Sequence, residues 1–157
     1  MSLHDCREFC DSRRATAADR VAESALLDVH PQIKDLARSL ILSQRHFTTN
    51  DLKVVLAGHP TPDNVARMRD QGKVVGIKVA QIGFVFPAFQ FDVVLGRVNP
   101  SAALINRLLR KRAGPEEMLA WWCGASSRSA PSPTALLASG RAADLMDRAA
   151  TYVKMKR

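Results

Sequence analysis

The chain has 157 residues, 46% of them hydrophobic, and it carries a net charge of +8 with 23 Lys and Arg against 15 Asp and Glu. This hydrophobic share excludes a wholly disordered chain, and the length allows one domain or two small ones. The excess of positive charge predicts acidic partners, of which nucleic acid is the usual one.

Two features that are absent from the sequence bear on the cellular location of the protein. No apolar run approaches the roughly 20 residues that span a bilayer, so we expect no membrane partner. No charged start leads into an apolar block, and the three cysteines (Cys6, Cys10 and Cys123) are typical of a reducing compartment. We therefore expect a cytoplasmic protein.

The N-terminal segment, residues 1–45, is predicted to be helical. Its apolar residues recur at the spacing of an amphipathic helix, at Ile33, Leu36, Ala37, Leu40 and Ile41. Such a stripe needs a partner, either the rest of the chain or the same helix of a second subunit. The segment is thus a candidate for homodimer formation.

Residues 46–92 are predicted to begin with two helices joined by a turn. Thr48 is a suitable N-cap for the first helix, and Asp51 follows three residues on as a near capping box. Thr61 can cap the second helix, with Pro62 at its first position, where the missing N–H costs nothing. Gly72 is predicted to end this second helix.

A β-hairpin is predicted after the second helix, from strands at residues 74–79 and 84–86. Helix, turn, helix and hairpin are the order of a winged helix-turn-helix, whose second helix enters the major groove of DNA. The candidates for base contacts are Asn64 and Arg67, with Arg69 helping, because Asn and Arg make bidentate contacts to adenine and guanine. Hydroxyls at helix N-termini and lysines on the hairpin can hold phosphates. The predicted phosphate contacts are Thr48, Thr49, Thr61, Lys73 and Lys78.

This segment resembles the excisionase/MerR-like helix-turn-helix family. The recurring pieces of that family match, in order, Thr48–Leu52, Thr61–Val65, Gln71–Lys73 and Ile77–Val79. The turn LAGHPTP is one or two residues longer than the turn in the family's pattern. The resemblance implies a DNA-binding domain, and a helix-turn-helix that serves only as a scaffold is the alternative.

Residues 93–157 are predicted to form a small helical domain, which makes the whole fold mainly α. A helical pattern resumes after Asn99-Pro100, and a second helix begins at Pro115. Residues 124–133 are predicted to form a Ser/Pro-rich loop, and the last helix, which follows this loop, is predicted to break near Gly140. A cationic cluster in this half could contact DNA phosphates or an acidic partner, or it could be a solvated helix face. The cluster consists of Arg107, Arg110, Lys111 and Arg112.

Two strings within residues 84–150, FPAFQFD at residues 86–92 and PTALLASG at residues 133–140, resemble the C-terminal toxin-binding domain of Xre/MbcA/ParS-type antitoxins. The resemblance implies a partner protein, a RES-type toxin that consumes NAD, and repression of the antitoxin's own operon. Adjacent helix residues point about 100° apart, so at least one of the two tryptophans is expected in the core. The candidate partner-binding residues are Trp121, Trp122, Leu136 and Gly140.

The sequence predicts neither catalytic nor metal chemistry. His4, Cys6 and Cys10 lack the second ligand pair of a structural zinc site, and no phosphate-binding glycine loop or nucleophile elbow occurs. We expect no cofactor and no enzyme activity. Three hypotheses remain open: a DNA-binding regulator that is the antitoxin of a toxin–antitoxin pair, a stand-alone nucleoid or stress regulator, and a protein-interaction module whose helix-turn-helix is non-functional.

Overall fold

The fold is mainly α-helical with a small antiparallel sheet, as predicted. The computed structural model describes residues 42–124 and 130–156, together with Asp35, Arg38 and Ser39. The apolar stripe predicted for dimerisation, along with Cys6 and Cys10, lies outside these described residues. In chain order the elements are β1 (His46–Thr48), α1 (Thr49–Val55), α2 (Pro62–Asp70), β2 (Ile77–Val79), β3 (Gly83–Pro87), a 3₁₀ turn (Ala88–Gln90), β4 (Phe91–Asp92), β5 (Arg97–Val98), α3 (Pro100–Leu109), α4 (Pro115–Cys123), α5 (Pro133–Ala138) and α6 (Ala142–Met155).

Local capping signals set the ends of the first two helices. The Thr48 hydroxyl accepts a hydrogen bond from the Asp51 N–H, and the Asp51 carboxylate accepts one from the Thr48 N–H at 2.8 Å, so the capping box is confirmed. Thr61 caps α2, with Pro62 in its first turn. Gly72 follows the last turn with φ +70°, a conformation that favours glycine.

The main sheet has three strands, in the order β1–β3–β2, all antiparallel. The sequence predicted only the hairpin of β2 and β3. β1 was missed because three residues are too few to show the period of a strand. It places Phe47 opposite Phe86. β2 is also shorter than predicted, because the backbone of Val75 is hydrogen-bonded to the side chain of Gln90 instead of to a strand.

A second hairpin, formed by β4 and β5, was not predicted. Phe91 pairs with Val98 and Asp92 with Arg97 across it. The Asp92 carboxylate accepts a hydrogen bond from the Leu95 N–H at 3.0 Å, which closes the connecting turn. This short hairpin connects the sheet to α3.

Buried apolar residues form two cores on opposite sides of the main sheet. Neighbouring residues of β3 point to opposite sides, so Val85 joins one core and Phe86 the other. The N-terminal core contains Phe47, Leu52, Leu56, Val65, Val74, Phe86 and Phe91. The C-terminal core contains Val75, Ile77, Val85, Ala102, Ile105, Leu109, Met118, Leu119, Trp122, Leu136, Leu145 and Ala149.

Each of the first three C-terminal helices has a proline in its first turn. Pro115 starts α4 as predicted, whereas Pro133, which was predicted to lie in the preceding loop, starts α5 because Ser132 caps that helix. Asn99 caps α3 by accepting hydrogen bonds from two backbone N–H groups, at 3.0 and 3.2 Å. The predicted break near Gly140 separates α5 from α6. None of the helices in residues 42–124 and 130–156 is long and apolar enough to cross a membrane.

Candidate nucleic-acid interface

Helix α2 presents the predicted base-contacting side chains on its outer face. Val65 is 1% exposed and packs into the N-terminal core, which fixes the inner face of the helix. Asn64 and Arg67 are exposed and, being three residues apart, share a face directed away from Val65. Neither side chain forms a hydrogen bond or ion pair with another described residue. Both are therefore available to a ligand outside the chain.

Arg69 has a different environment from Asn64 and Arg67. Its guanidinium lies 4.0 Å from the ring centroid of Phe84 on β3, and its Nη2 atom lies 3.4 Å from the Asp70 carboxylate. The side chain is only 29% exposed. Stacking of this kind connects the end of α2 to the sheet, so Arg69 holds the helix and the hairpin together.

The three threonines predicted to contact phosphates all lie at helix N-termini. Thr48 and Thr49 are half-buried at the start of α1, and Thr61 is exposed at the start of α2. The hydroxyl of Thr48 donates to the Asp51 carboxylate at 2.8 Å. Hydrogen bonds from the Thr48 backbone and hydroxyl lower the pKa of Asp51 below its usual value, so this first turn carries a negative charge near neutral pH.

The two predicted lysines of the hairpin region differ in exposure. Lys78 is exposed on β2 opposite Phe84, between residues whose side chains point to the other face. Lys73 is half-buried directly before the hairpin. Its N–H donates to the Met68 carbonyl at 2.9 Å, and its own carbonyl accepts from Asn106 at 3.3 Å. The backbone of Lys73 is thus held by both α2 and α3.

Cationic residues of α3 lie beside the end of α2, a proximity that the sequence did not reveal. A methyl group on Gly72 would lie 3.1 Å from Cδ of Arg110 and 3.6 Å from Cγ of Arg107. The guanidinium of Arg110 donates a hydrogen bond to the Asp70 carbonyl. Two members of the predicted cationic cluster therefore adjoin the candidate DNA-reading helix, although they follow it by more than 30 residues.

The four residues predicted to bind a partner lie in different environments. Trp122 is fully buried and Leu136 is 5% exposed, so both belong to the C-terminal core in this structure. Trp121 is half-buried, with its ring centroid 5.2 Å from that of Trp122 and 6.3 Å from that of Tyr152. Gly140 is exposed after α5, with φ +72°. The expectation that at least one tryptophan is a core residue is confirmed.

A buried hydrogen-bond network joins the sheet to the C-terminal helices. Gln90 and Asn106 are both fully buried. The Gln90 amide binds both backbone groups of Val75, at 2.7 and 2.8 Å. Asn106 donates to Gln90 at 3.0 Å and accepts from the indole N–H of Trp122 at 2.8 Å. Periodicity singled out neither Gln90 nor Asn106, because isolated amides carry no periodic signal. Gln90 does lie in the FPAFQFD string, but that string indicated a resemblance and not a buried amide.

Cys123 is the one cysteine in residues 42–124 and 130–156. This part of the chain contains no group of three or more His, Cys, Asp or Glu side chains placed to hold a metal ion. Cys123 is a free, half-buried cysteine whose pKa is raised by burial. A raised pKa disfavours the reactive thiolate form of this residue.

Comparisons of the chain with known protein families, curated proteins and solved structures give no match.

Proposed function

We propose that the protein is a DNA-binding transcriptional regulator with a winged helix-turn-helix. In this proposal α2 enters the major groove and the β2–β3 hairpin is the wing. The order β1–α1–α2–β2–β3, with α2 packed on α1 and the sheet beside them, supports this architecture. The net charge of +8 favours association with a polyanion.

The exposed pair of Asn64 and Arg67 is the observation that carries the proposal. Their side chains lie on the outer face of α2, and no described residue binds them. Asn reads adenine and Arg reads guanine through two hydrogen bonds each, and both bases present the required atoms in the major groove. An amide and a guanidinium on one helical face therefore suit a short DNA sequence.

The remaining contacts have supporting roles in this proposal. Lys78 on the hairpin and the threonines Thr49 and Thr61 contact phosphates, and Lys73 adds charge next to them. Thr48 does not take part, because its N–H and its hydroxyl both donate to the Asp51 carboxylate. Arg69 supports the interface indirectly, because its stacking on Phe84 fixes the angle between the helix and the hairpin. The protein binds as a homodimer, so we expect two half-sites about 34 Å apart or a multiple of that distance.

Selection of bound sequences from a random DNA pool, followed by fluorescence anisotropy on the selected site, tests the proposal. Log affinity should fall with log salt by about 0.9 per phosphate contact. Arg67→Ala should weaken binding by about 1–3 kcal/mol and relax the preference at one base position. Arg141→Ala is the matched control, because Arg141 is exposed and pairs with Asp144 on α6. Equal affinities of the Arg67→Ala variant and the wild type would remove Arg67 from the interface.

We also propose that the C-terminal helices bind a protein partner, a RES-type toxin that the chain neutralises. The antitoxin resemblance motivates this second role, and a shallow groove between α3 and α6 supports it. The groove is lined by Leu104, Leu108 and Met146 with Arg107 and Lys111 at its edge, and Leu104 is 52% exposed. An apolar floor with a cationic edge suits an acidic protein surface.

Copurification from the native host with mass spectrometry tests the second role, and Leu104→Asp provides the specific variant. This change should abolish recovery of the toxin while leaving folding and DNA affinity intact. A partner recovered without DNA binding would favour the interaction module, and DNA binding without any toxin would favour the stand-alone regulator. Either result would contradict the antitoxin proposal.

A further inference from the structure

A cleft of about 570 Å³ lies between the end of α2, the hairpin region and the beginning of α4. This volume falls within the range of pockets that bind small molecules. Its accessible apolar lining comes from Phe84 and Ala113, which are half-buried, and from Pro115, which is exposed. The other apolar side chains of the lining, Val74, Val75 and Met118, are buried. The cleft is separate from the outer face of α2, which carries Asn64 and Arg67.

Two arginines supply the charge of the cleft, Arg69 from α2 and Arg110 from the end of α3. The one carboxylate in its lining belongs to Asp70, whose side chain is 70% exposed and lies 3.4 Å from Arg69. Two guanidiniums against a single exposed carboxylate leave the cleft with an excess of positive charge. A ligand with a negative group is therefore favoured over a neutral or cationic one.

Both guanidiniums are held in place before any ligand arrives. Arg69 stacks on Phe84, and Arg110 donates to the Asp70 carbonyl while its side chain packs against Gly72. A cation fixed by its own neighbours loses little conformational freedom when it binds a ligand. The glycine at residue 72 is required here twice, for its φ of +70° and for the space that the Arg110 side chain occupies.

We infer that this cleft is a binding site for a small organic anion, a carboxylate attached to an apolar body. The carboxylate pairs with Arg69 and Arg110. The apolar body packs against Phe84, Ala113 and Pro115, the apolar lining residues that keep accessible surface. Planar carboxylates suit guanidinium groups because two parallel hydrogen bonds can form. Since the cleft is bounded by the last turn of α2, occupancy also alters DNA affinity, a consequence that rests on the proposed function.

Benzoate and benzamidinium provide the decisive probes, because they share a shape and carry opposite charges. Each is titrated into the full-length protein without DNA and followed by the backbone amide signals of Gly72, Val75, Gly76 and Ala113. Benzoate should shift these signals saturably, and benzamidinium should not. Equal responses to both compounds, or no saturable response to benzoate, would overturn the site. Inorganic phosphate is used in a third titration to detect a general anion site. If phosphate bound as tightly as benzoate, the ligand would need no apolar body and the proposal would be wrong.

Two variants locate the site, and a third is the control. Arg110→Gln should weaken benzoate binding by about tenfold through loss of a charged hydrogen bond. Ala113→Met should block the cleft from its wall while leaving both arginines in place. Arg112→Gln removes an equal charge from an exposed neighbour outside the lining, so it should leave benzoate affinity unchanged. An equal loss in Arg112→Gln and Arg110→Gln would show that only overall charge matters and would refute the site.

The coupling to DNA is measured separately on the selected DNA site. Saturating benzoate should change DNA affinity in the wild type and leave it unchanged in Ala113→Met. If benzoate binds but DNA affinity stays constant, the coupling is wrong. If DNA does not bind at all, the proposed function fails, while the benzoate titration still decides the site.

Discussion

The N-terminal and C-terminal cores meet at one sheet but differ in how they are built. The N-terminal core is rich in aromatic rings, with Phe47 and Phe91 in edge contact at a centroid distance of 5.9 Å. The C-terminal core surrounds Trp122, whose indole N–H enters a buried hydrogen-bond network with Asn106 and Gln90. Apolar volume thus specifies the first core, whereas hydrogen bonds specify how the second one meets the sheet.

This difference has a physical consequence for how each core responds to change. Apolar contacts are non-directional and tolerate small shifts, while a buried hydrogen bond fixes both distance and angle. A buried amide that loses its partner costs more than the bond itself contributed. The junction between sheet and C-terminal helices should therefore be the more sensitive to single polar substitutions.

The largest expected effect comes from the centre of the C-terminal core. Trp122→Ala removes a fully buried ring and its hydrogen bond, and it should lower the free energy of unfolding by about 3–5 kcal/mol. Trp121→Ala is the matched control and should cost clearly less, because that ring is half-buried. Urea unfolding measures both values. Similar losses in the two variants would mean that the core is not centred on Trp122.

The network itself is tested by Asn106→Leu, a change of similar volume. The indole N–H of Trp122 loses its partner, and we expect unfolding to become easier by about 2–3 kcal/mol. Asn64→Leu, at an exposed position, should change stability by about 0.5 kcal/mol or less. Thermal and urea unfolding measure the change in stability of both variants. If Asn106→Leu left the free energy of unfolding unchanged, apolar packing alone would specify the junction. The contrast between the two cores would then be removed.

A smaller effect is expected at the edge of the N-terminal core. Thr48→Ala removes the N-cap of α1 and should cost about 1 kcal/mol. Thr49→Ala, in the first turn of the same helix but with no capping role, is the control. The free energy of unfolding in urea separates the two variants. If they lose equal amounts, the capping box does not stabilise α1.

The smallest expected effect is a dependence on pH. Hydrogen bonds from Thr48 lower the pKa of Asp51 in the folded state. The stability that this group contributes is therefore present above its unfolded pKa and is lost as pH falls through the lower folded value. A carbon-detected NMR titration of the Asp51 carboxyl should show this lowered pKa, and Thr48→Ala should raise it towards the ordinary value. An unchanged titration in the variant would contradict the assigned cause.

Local signals predicted much of the secondary structure. The caps at Thr48 and Thr61, the proline starts of α3 and α4 and the break near Gly140 all depend on residues close together in the chain. Those signals act through backbone geometry and hydrogen bonds within one turn, so they can be recognised without knowledge of the tertiary structure. The exposure of Asn64 and Arg67 also followed from the periodicity of α2.

Contacts between residues far apart in the chain could not be predicted from the sequence. The pairing of the Gln90 amide with Val75 spans 15 residues, and the approach of Arg110 to Gly72 spans 38. Neither has a periodic or compositional signature. The choice between Trp121 and Trp122 as the buried ring depended on the rotation of α4 against its neighbours. Their contributions to a partner interface stay predictions, as do the DNA contacts.

Neighbouring side chains of β3 belong to different cores, and this limits how the protein can be divided into fragments for experiments. A fragment that stopped at Asp92 would keep α1, α2 and the main sheet but leave the side chains of Ile77 and Val85 facing water. The side-chain amide of Gln90 would also lose its partner Asn106. Such a fragment would tend to aggregate during expression, because uncovered β-branched residues on a short sheet invite association. Crystallisation of the candidate DNA-binding half, or footprinting with it, is therefore best attempted with α3 to α6 attached.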